Sequence, residues 1–135
     1  MSRVLVDTNV ILDVATRDPV WSDWSRAQLR AARAEARLVI NPIIFAEVSV
    51  GFSTIELAEA AVPLHTFVRE ELPWSAAFLA GKAYLAYRRR GGIRRSPLSD
   101  FFIGAHAAIA GYRLLTRDAA RYRSSFPKLD LITPG

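Results

Sequence analysis

Three short apolar runs, each closed by a polar residue and followed by a helix-start signal, constrain this chain more than any other feature. Arg3 to Val6 ends at Asp7 and reads as a buried strand turning into a helix near Asn9. Leu38-Val39-Ile40 ends at Asn41-Pro42, an N-cap residue with proline at the first helical position. Arg113 to Thr116 ends before Asp118 and a short helix over Ala119 to Arg123. Runs this short and this apolar suit strands covered on both faces, and parallel strands need helical crossovers between them. The expected class is therefore α/β with a parallel sheet and helices on both faces.

The remaining segments fit that frame. Ser22 to Arg37 reads as a surface helix, with Trp24, Ala27, Leu29, Ala31 and Ala34 at helical spacing and Arg26, Arg30, Arg33 and Arg37 elsewhere. Helices are expected from Ile43 to about Gly51, from Thr54 to about Ala61, and from Trp74 to Arg90, where Gly91-Gly92 supplies the stop. Ser96-Pro97 repeats the cap-plus-proline start and opens a helix through Asp100 to about Ala110. A third strand is expected around Phe67 to Glu71 and a fifth from Leu129 to Ile132. No repeat, low-complexity tract or linker divides residues 1–135, so a single domain is expected.

Composition excludes several chemistries. With 135 residues, 51% of them apolar, the chain is long enough to bury a core of its own. It has no cysteine, which rules out disulfides, thiolate metal sites and thiol nucleophiles. The N-terminal segment lacks a signal-peptide pattern, and no apolar stretch approaches the ~18 residues of a membrane span, so a cytoplasmic protein is expected. The net charge of +5, with 16 arginines among 18 basic residues, favours a polyanionic partner.

In parallel sheets the functional crevice lies at the carboxyl ends of the strands. Asp7 follows the first strand directly, and Asp118 follows the fourth. Glu47 lies in the opening turns of the helix after the second strand, among Phe45, Ala46 and Val48, where a carboxylate needs a partner or a cation. Asp100 is close to the start of its own helix. Carboxylates held about 4 Å apart repel by roughly 4 kcal/mol at an effective dielectric near 20. Proton uptake or a divalent cation must offset that repulsion. All-oxygen ligands select Mg²⁺ or Mn²⁺, ions suited to activating a water against a phosphodiester. Each acid also has a local role open to it, such as Asp7 capping its helix. Asp13 is placed to border the site. The histidines, His65 and His106, offer no ligand spacing and read as structural; Trp21, Trp24 and Trp74 read as core or interface residues. Arg88, Arg89, Arg90, Arg94 and Arg95 lie on the approach to Asp100 and are candidates for holding a nucleic-acid backbone.

The stretches Val4-Leu5-Val6-Asp7-Thr8-Asn9-Val10, Phe45-Ala46-Glu47-Val48, Asp100-Phe101-Phe102-Ile103-Gly104-Ala105-His106-Ala107 and Leu114-Leu115-Thr116-Arg117-Asp118 resemble the motifs of the PIN-domain family, within it the VapC-type toxins of toxin–antitoxin pairs. The resemblance spans essentially the whole chain. It implies strand order 3-2-1-4-5, a Mg²⁺ or Mn²⁺ site, and endonucleolytic cleavage of RNA, commonly transfer or ribosomal RNA. By position it assigns Asp7, Glu47, Asp100 and Asp118 as the acidic residues, supported by Asn9 and Thr116. It further implies a homodimer and a cognate antitoxin protein. Two other readings compete: a non-catalytic RNA-binding module of the same fold, and a phosphohydrolase with Asp7 as nucleophile. The second is disfavoured by Asn at position 9 and by a lysine complement limited to Lys82 and Lys128.

Overall fold

The computed structural model describes residues 2–91 and 98–134. Five strands, β1 (Ser2–Val6), β2 (Ala36–Ile40), β3 (Phe67–Arg69), β4 (Arg113–Leu115) and β5 (Leu131–Ile132), form one sheet of order β3-β2-β1-β4-β5. Every pairing is parallel. The connections carry α1 (Thr8–Ala15), α2 (Ser22–Glu35), α3 (Pro42–Ser49), α4 (Ile55–Ala61), α5 (Trp74–Arg89), α6 (Leu98–Ala110) and α7 (Ala119–Arg123). Right-handed crossovers carry the chain outward from β1 to β3 and then back across to β4, so the direction of winding reverses between β1 and β4. Ligands of such sheets bind at that reversal.

The expected class and strand order both hold. Val4, Leu5, Val6, Val39, Leu114 and Leu115 are fully buried, as strands covered on both faces require. Asn41 caps α3 with its side chain on the Ile44 amide, 2.9 Å away, and Pro42 takes the first helical position. Boundaries shift by small amounts. The polar stretch expected to run helical to Arg37 ends at Glu35, because Ala36 and Arg37 already pair in register with Ser2 and Arg3. The third and fifth strands are shorter than expected. Their amides still extend the ladder, with Glu70 N–H donating to Ile40 O at 3.0 Å. Trp74 is 92% exposed at the start of α5, so of the two places expected for it, core or interface, it does not take the core. The Ser96-Pro97 cap falls outside the described residues.

One glycine decides how α6 packs. A Cβ at Gly104 would lie 2.6 Å from Phe126 Cδ2 and 3.1 Å from Tyr122 Cδ1. Only glycine lets α6 close on these rings, and Tyr122, wholly buried there, reaches Asp7 with its hydroxyl.

Candidate active site

Asp7 sits at the reversal point, between the ends of β1 and β4. Its backbone is extended (φ −67°, ψ 150°), and its Oδ1 accepts the Thr8 amide at 2.8 Å, so it does cap α1. Capping uses only one of its oxygens. Oδ2 accepts Thr116 Oγ1 and Tyr122 Oη, each at 2.8 Å, with Asn9 Nδ2 further off at 3.4 Å. The carboxylate is 4% exposed. Burial raises its pKa above the usual carboxylate range, the hydroxyl and amide donors pull it back, and the charge of Glu47 pushes it up again.

Thr116 and Asn9 knit the two strand ends together. Asn9 Nδ2 donates to Thr116 Oγ1 at 3.3 Å, Asn9 Oδ1 accepts the Arg117 amide at 3.4 Å, and the Asp118 amide donates to Thr116 Oγ1 at 3.1 Å. The hydroxyl of Thr116 thus orients Asp7 and fixes the backbone that carries Asp118. Asn9 and Thr116 therefore stand where a supporting role requires them.

The other acids approach from separate elements. Glu47, on α3, is partly buried and has the partners its apolar neighbours call for: its Oε1 accepts Thr8 Oγ1 at 2.7 Å and its Oε2 accepts Ser99 Oγ at 3.0 Å. Asp100, in the first turn of α6, is 5% exposed. Burial pushes its pKa up to about 6; Arg121 opposes this, while Asp7, Glu47 and Asp118 add to it through their charges. Asp118 is half-buried and bonded to Arg121, Nε to Oδ2, at 2.7 Å, and Arg121 Nη1 also reaches Asp100 Oδ2 at 3.4 Å. The four acids therefore share one electrostatic field.

Asp13 borders this centre, as its sequence position suggested. It is buried, and its Oδ2 accepts Ser25 Oγ at 2.8 Å and Arg117 Nε at 2.9 Å. Both hydrogen bonds hold it in a structural pair. His106 is likewise internal, with Nδ1 beside Asn41 Nδ2 at 2.9 Å and Nε2 3.4 Å from Glu70. Of the basic run, Arg88 and Arg90 lie over the Tyr84 and Tyr87 rings, Arg89 ends α5, and Arg94 and Arg95 fall outside the described residues.

Among the described residues no three acidic or histidine side chains close into a preformed metal cage. The donor chemistry nonetheless fits a hard divalent cation. All four donors are carboxylates, and Asp7 keeps a lone pair on Oδ1 while Oδ2 is saturated. The pKa of Asp100 is raised first by burial and then by the charges of Asp7, Glu47 and Asp118, so a cation placed among these acids would favour its ionised form.

Sequence reasoning missed Tyr122, Arg121, Thr8 and Ser99. Tyr122 is an apolar-looking ring in a short helix, and only its hydroxyl, reaching a residue 115 positions away, reveals its role. Arg121 carried a signal, since it lies three residues after Asp118 on α7, where ion pairs form. Thr8 and Ser99 adjoin Asp7 and Asp100 in the chain and turn toward Glu47.

A PIN-domain sequence profile matches residues 4–126. The chain belongs to the PIN-domain family. Its fold matches that of a chain in VapBC2 from Rickettsia felis bound to a promoter DNA fragment, with a TM-score of 0.75 and 18% identity over 97% of this chain and 98% of that one. DNA-bound VapBC from Salmonella typhimurium matches at 0.73 and 20%, covering 98% of both chains. The sarcin–ricin-loop-cleaving toxin VapC20 of Mycobacterium tuberculosis matches at 0.59 and 15%, over 82% of this chain and 85% of that one. At these identities the likeness is one of fold. No curated protein sequence matches the chain.

Proposed function

We propose that residues 1–135 act as a single PIN-like nuclease domain, a Mg²⁺- or Mn²⁺-dependent endoribonuclease and the toxin of a toxin–antitoxin pair. The observation that carries this reading is the convergence of acids from the end of β1, from α3, from α6 and from the β4–α7 turn on the reversal point of the sheet, with Asp7 and Asp100 buried there. Family membership and the likeness of fold to a sarcin–ricin-loop-cleaving toxin support it.

Asp7, Glu47, Asp100 and Asp118 are the residues that would hold the cation. When bound, a divalent ion supplies an acidified water and charge neutralisation at the scissile phosphate. The chain's own groups prepare the site. Thr116, Tyr122 and Asn9 fix one oxygen of Asp7, while the other accepts a single bond, from the Thr8 amide, and has a lone pair left for a cation. Thr8 and Ser99 anchor both oxygens of Glu47. Arg88, Arg89, Arg90, Arg94 and Arg95 are assigned to the RNA backbone on the approach to the acids.

Transfer or ribosomal RNA is the proposed substrate class. A cognate antitoxin is the proposed protein partner, supported by the VapBC complexes among the matching folds. A homodimer and a cytoplasmic location complete the reading; no helix among the described residues is long and apolar enough to cross a membrane. One observation favours the non-catalytic alternative: Arg121 already neutralises Asp100 and Asp118 from within the chain.

A mixed transfer and ribosomal RNA pool incubated with Mg²⁺, Mn²⁺ or EDTA separates the two. The nuclease reading expects cutting in either metal, none in EDTA, and none by Asp7→Ala. Binding of the pool without cutting in any metal would leave the RNA-binding module standing instead.

A further inference from the structure

One face of α2 carries a ladder that the acid centre does not use. Arg26, Arg30 and Arg33 recur at one-turn spacing, and Arg37 continues the row on β2; all four are exposed. They wall two adjoining hollows of about 400 Å³ and 310 Å³, between α2 and the segment around His65 and Thr66, floored by Leu38. Arg33 makes one hydrogen bond, to the His65 carbonyl at 3.2 Å. Among the described residues none of the four guanidinium groups pairs with a carboxylate. Of the other described arginines, Arg3, Arg69, Arg113, Arg117 and Arg121 have acidic partners, while Arg17, Arg88, Arg89, Arg90 and Arg123 pair with none but form no comparable row along one helix face.

The groove has a definite relation to the acids. Ser25 donates to Asp13, which is bonded to Arg117 next to Asp118, so the first turns of α2 lie beside the acid centre. Arg37, in register with Arg3 near the start of β1, lies toward the amino ends of the strands, away from the acids at their carboxyl ends. From Arg26 to Arg33 the helix rises about 10 Å. The row thus leads from the border of the site down one side of the molecule.

We infer that this arginine-walled groove is a remote docking track for the phosphate backbone of folded RNA. Guanidinium forks match phosphate oxygens bidentately, and one helical turn is comparable to a nucleotide step. Among the described residues no Phe, Tyr or Trp lines either hollow and His65 is the single ring there, so bases find little stacking platform and the contact reads chiefly backbone, independent of sequence. An RNA must be long enough to reach both the acids and this track. The inference rests on the ribonuclease reading for its substrate class, yet binding tests it apart from cleavage.

The experiment measures binding of a folded transfer RNA by fluorescence anisotropy in EDTA over a range of salt, for the parent, for Arg26→Gln/Arg30→Gln/Arg33→Gln, and for the corresponding triple lysine variant. The glutamine variant is expected to bind at least about tenfold more weakly, with a salt slope smaller by about 2 to 3, as expected for the loss of three phosphate contacts. The lysine variant should keep most of the slope. Cleavage of a short single-stranded oligonucleotide in Mn²⁺ should be the same for all three. Thermal melting confirms that each is folded. Parental affinity and slope in the glutamine variant would overturn the inference. So would an equal loss on the short oligonucleotide, or retained RNA affinity with lost binding of polyglutamate, which would assign the groove to an acidic protein. If the parent cuts no RNA but the binding pattern holds, the track stands and the nuclease reading falls.

Discussion

The two halves of the acid centre are built by different means. In one, Asp7 is buried and held by a backbone amide, two hydroxyls and a carboxamide from α1, α7 and the end of β4. In the half next to Arg121, Asp118 is half-buried and Asp100 is as buried as Asp7, and both are balanced by that single cation, Asp100 at the longer range. Neutral donors orient a carboxylate without cancelling its charge. An arginine cancels charge but must give way to any cation that takes its place. The half around Asp7 is therefore set in advance, and under the proposed function the half next to Arg121 is the part that would rearrange on loading.

The sharpest way to break this contrast is Tyr122→Phe, which removes one hydroxyl from a wholly buried site. Loss of such a supporting hydrogen bond typically costs 10–100-fold in metal affinity or activity. Calorimetric titration of Mn²⁺ is expected to show weakening of at least about tenfold; unchanged affinity would mean that Asp7 does not depend on its donors.

A second effect is pH-linked. Asp100 titrates near 3.8 in an unfolded chain and at about 6 in the fold. The folded state then holds the proton more tightly, so this group's contribution is full below about pH 4 and is lost as pH rises to about 6. Metal-free protein should melt at progressively lower temperature across that window, and Asp100→Asn should flatten the decline. A melting temperature that rises from pH 4 to 6 equally in both proteins would remove Asp100 from the cluster.

The smallest effect concerns the counter-ion. Arg121→Ala should lower the metal-free melting temperature only slightly, since the Asp118 pair is partly solvated and worth about 0–1 kcal/mol. It should strengthen Mn²⁺ binding by a few-fold, because the cation no longer displaces an arginine. Weaker Mn²⁺ binding would make Arg121 a support for the site and not a competitor.

The same contrast separates what could be read from the chain from what could not. Asp7 and Asp118 were legible because each follows an apolar strand at the turn into a helix, and strand ends are set by local hydrophobic pattern and turn chemistry. Glu47 was legible from its apolar neighbours, which call for the partners it has. Strand order came from family resemblance, since pairing in a parallel sheet joins residues far apart in sequence. Tyr122 was opaque for that reason: its ring satisfies a core position whichever way the hydroxyl points. For Trp74 the sequence left core and interface both open, and only its exposure at the N-terminus of α5 removes the core. Arg26, Arg30 and Arg33 were visible as a row, but their lack of acidic partners depends on how α2 packs beside the segment around His65.

The account turns on the four acids forming one cation site. Its most direct test is isothermal titration of Mn²⁺ into the parent, Asp7→Ala and Asp100→Asn, with each variant checked for folding. One saturable process in the parent, lost in Asp7→Ala and strongly weakened in Asp100→Asn, is the predicted result. No Mn²⁺ binding by the parent, or equal binding by all three proteins, would contradict it.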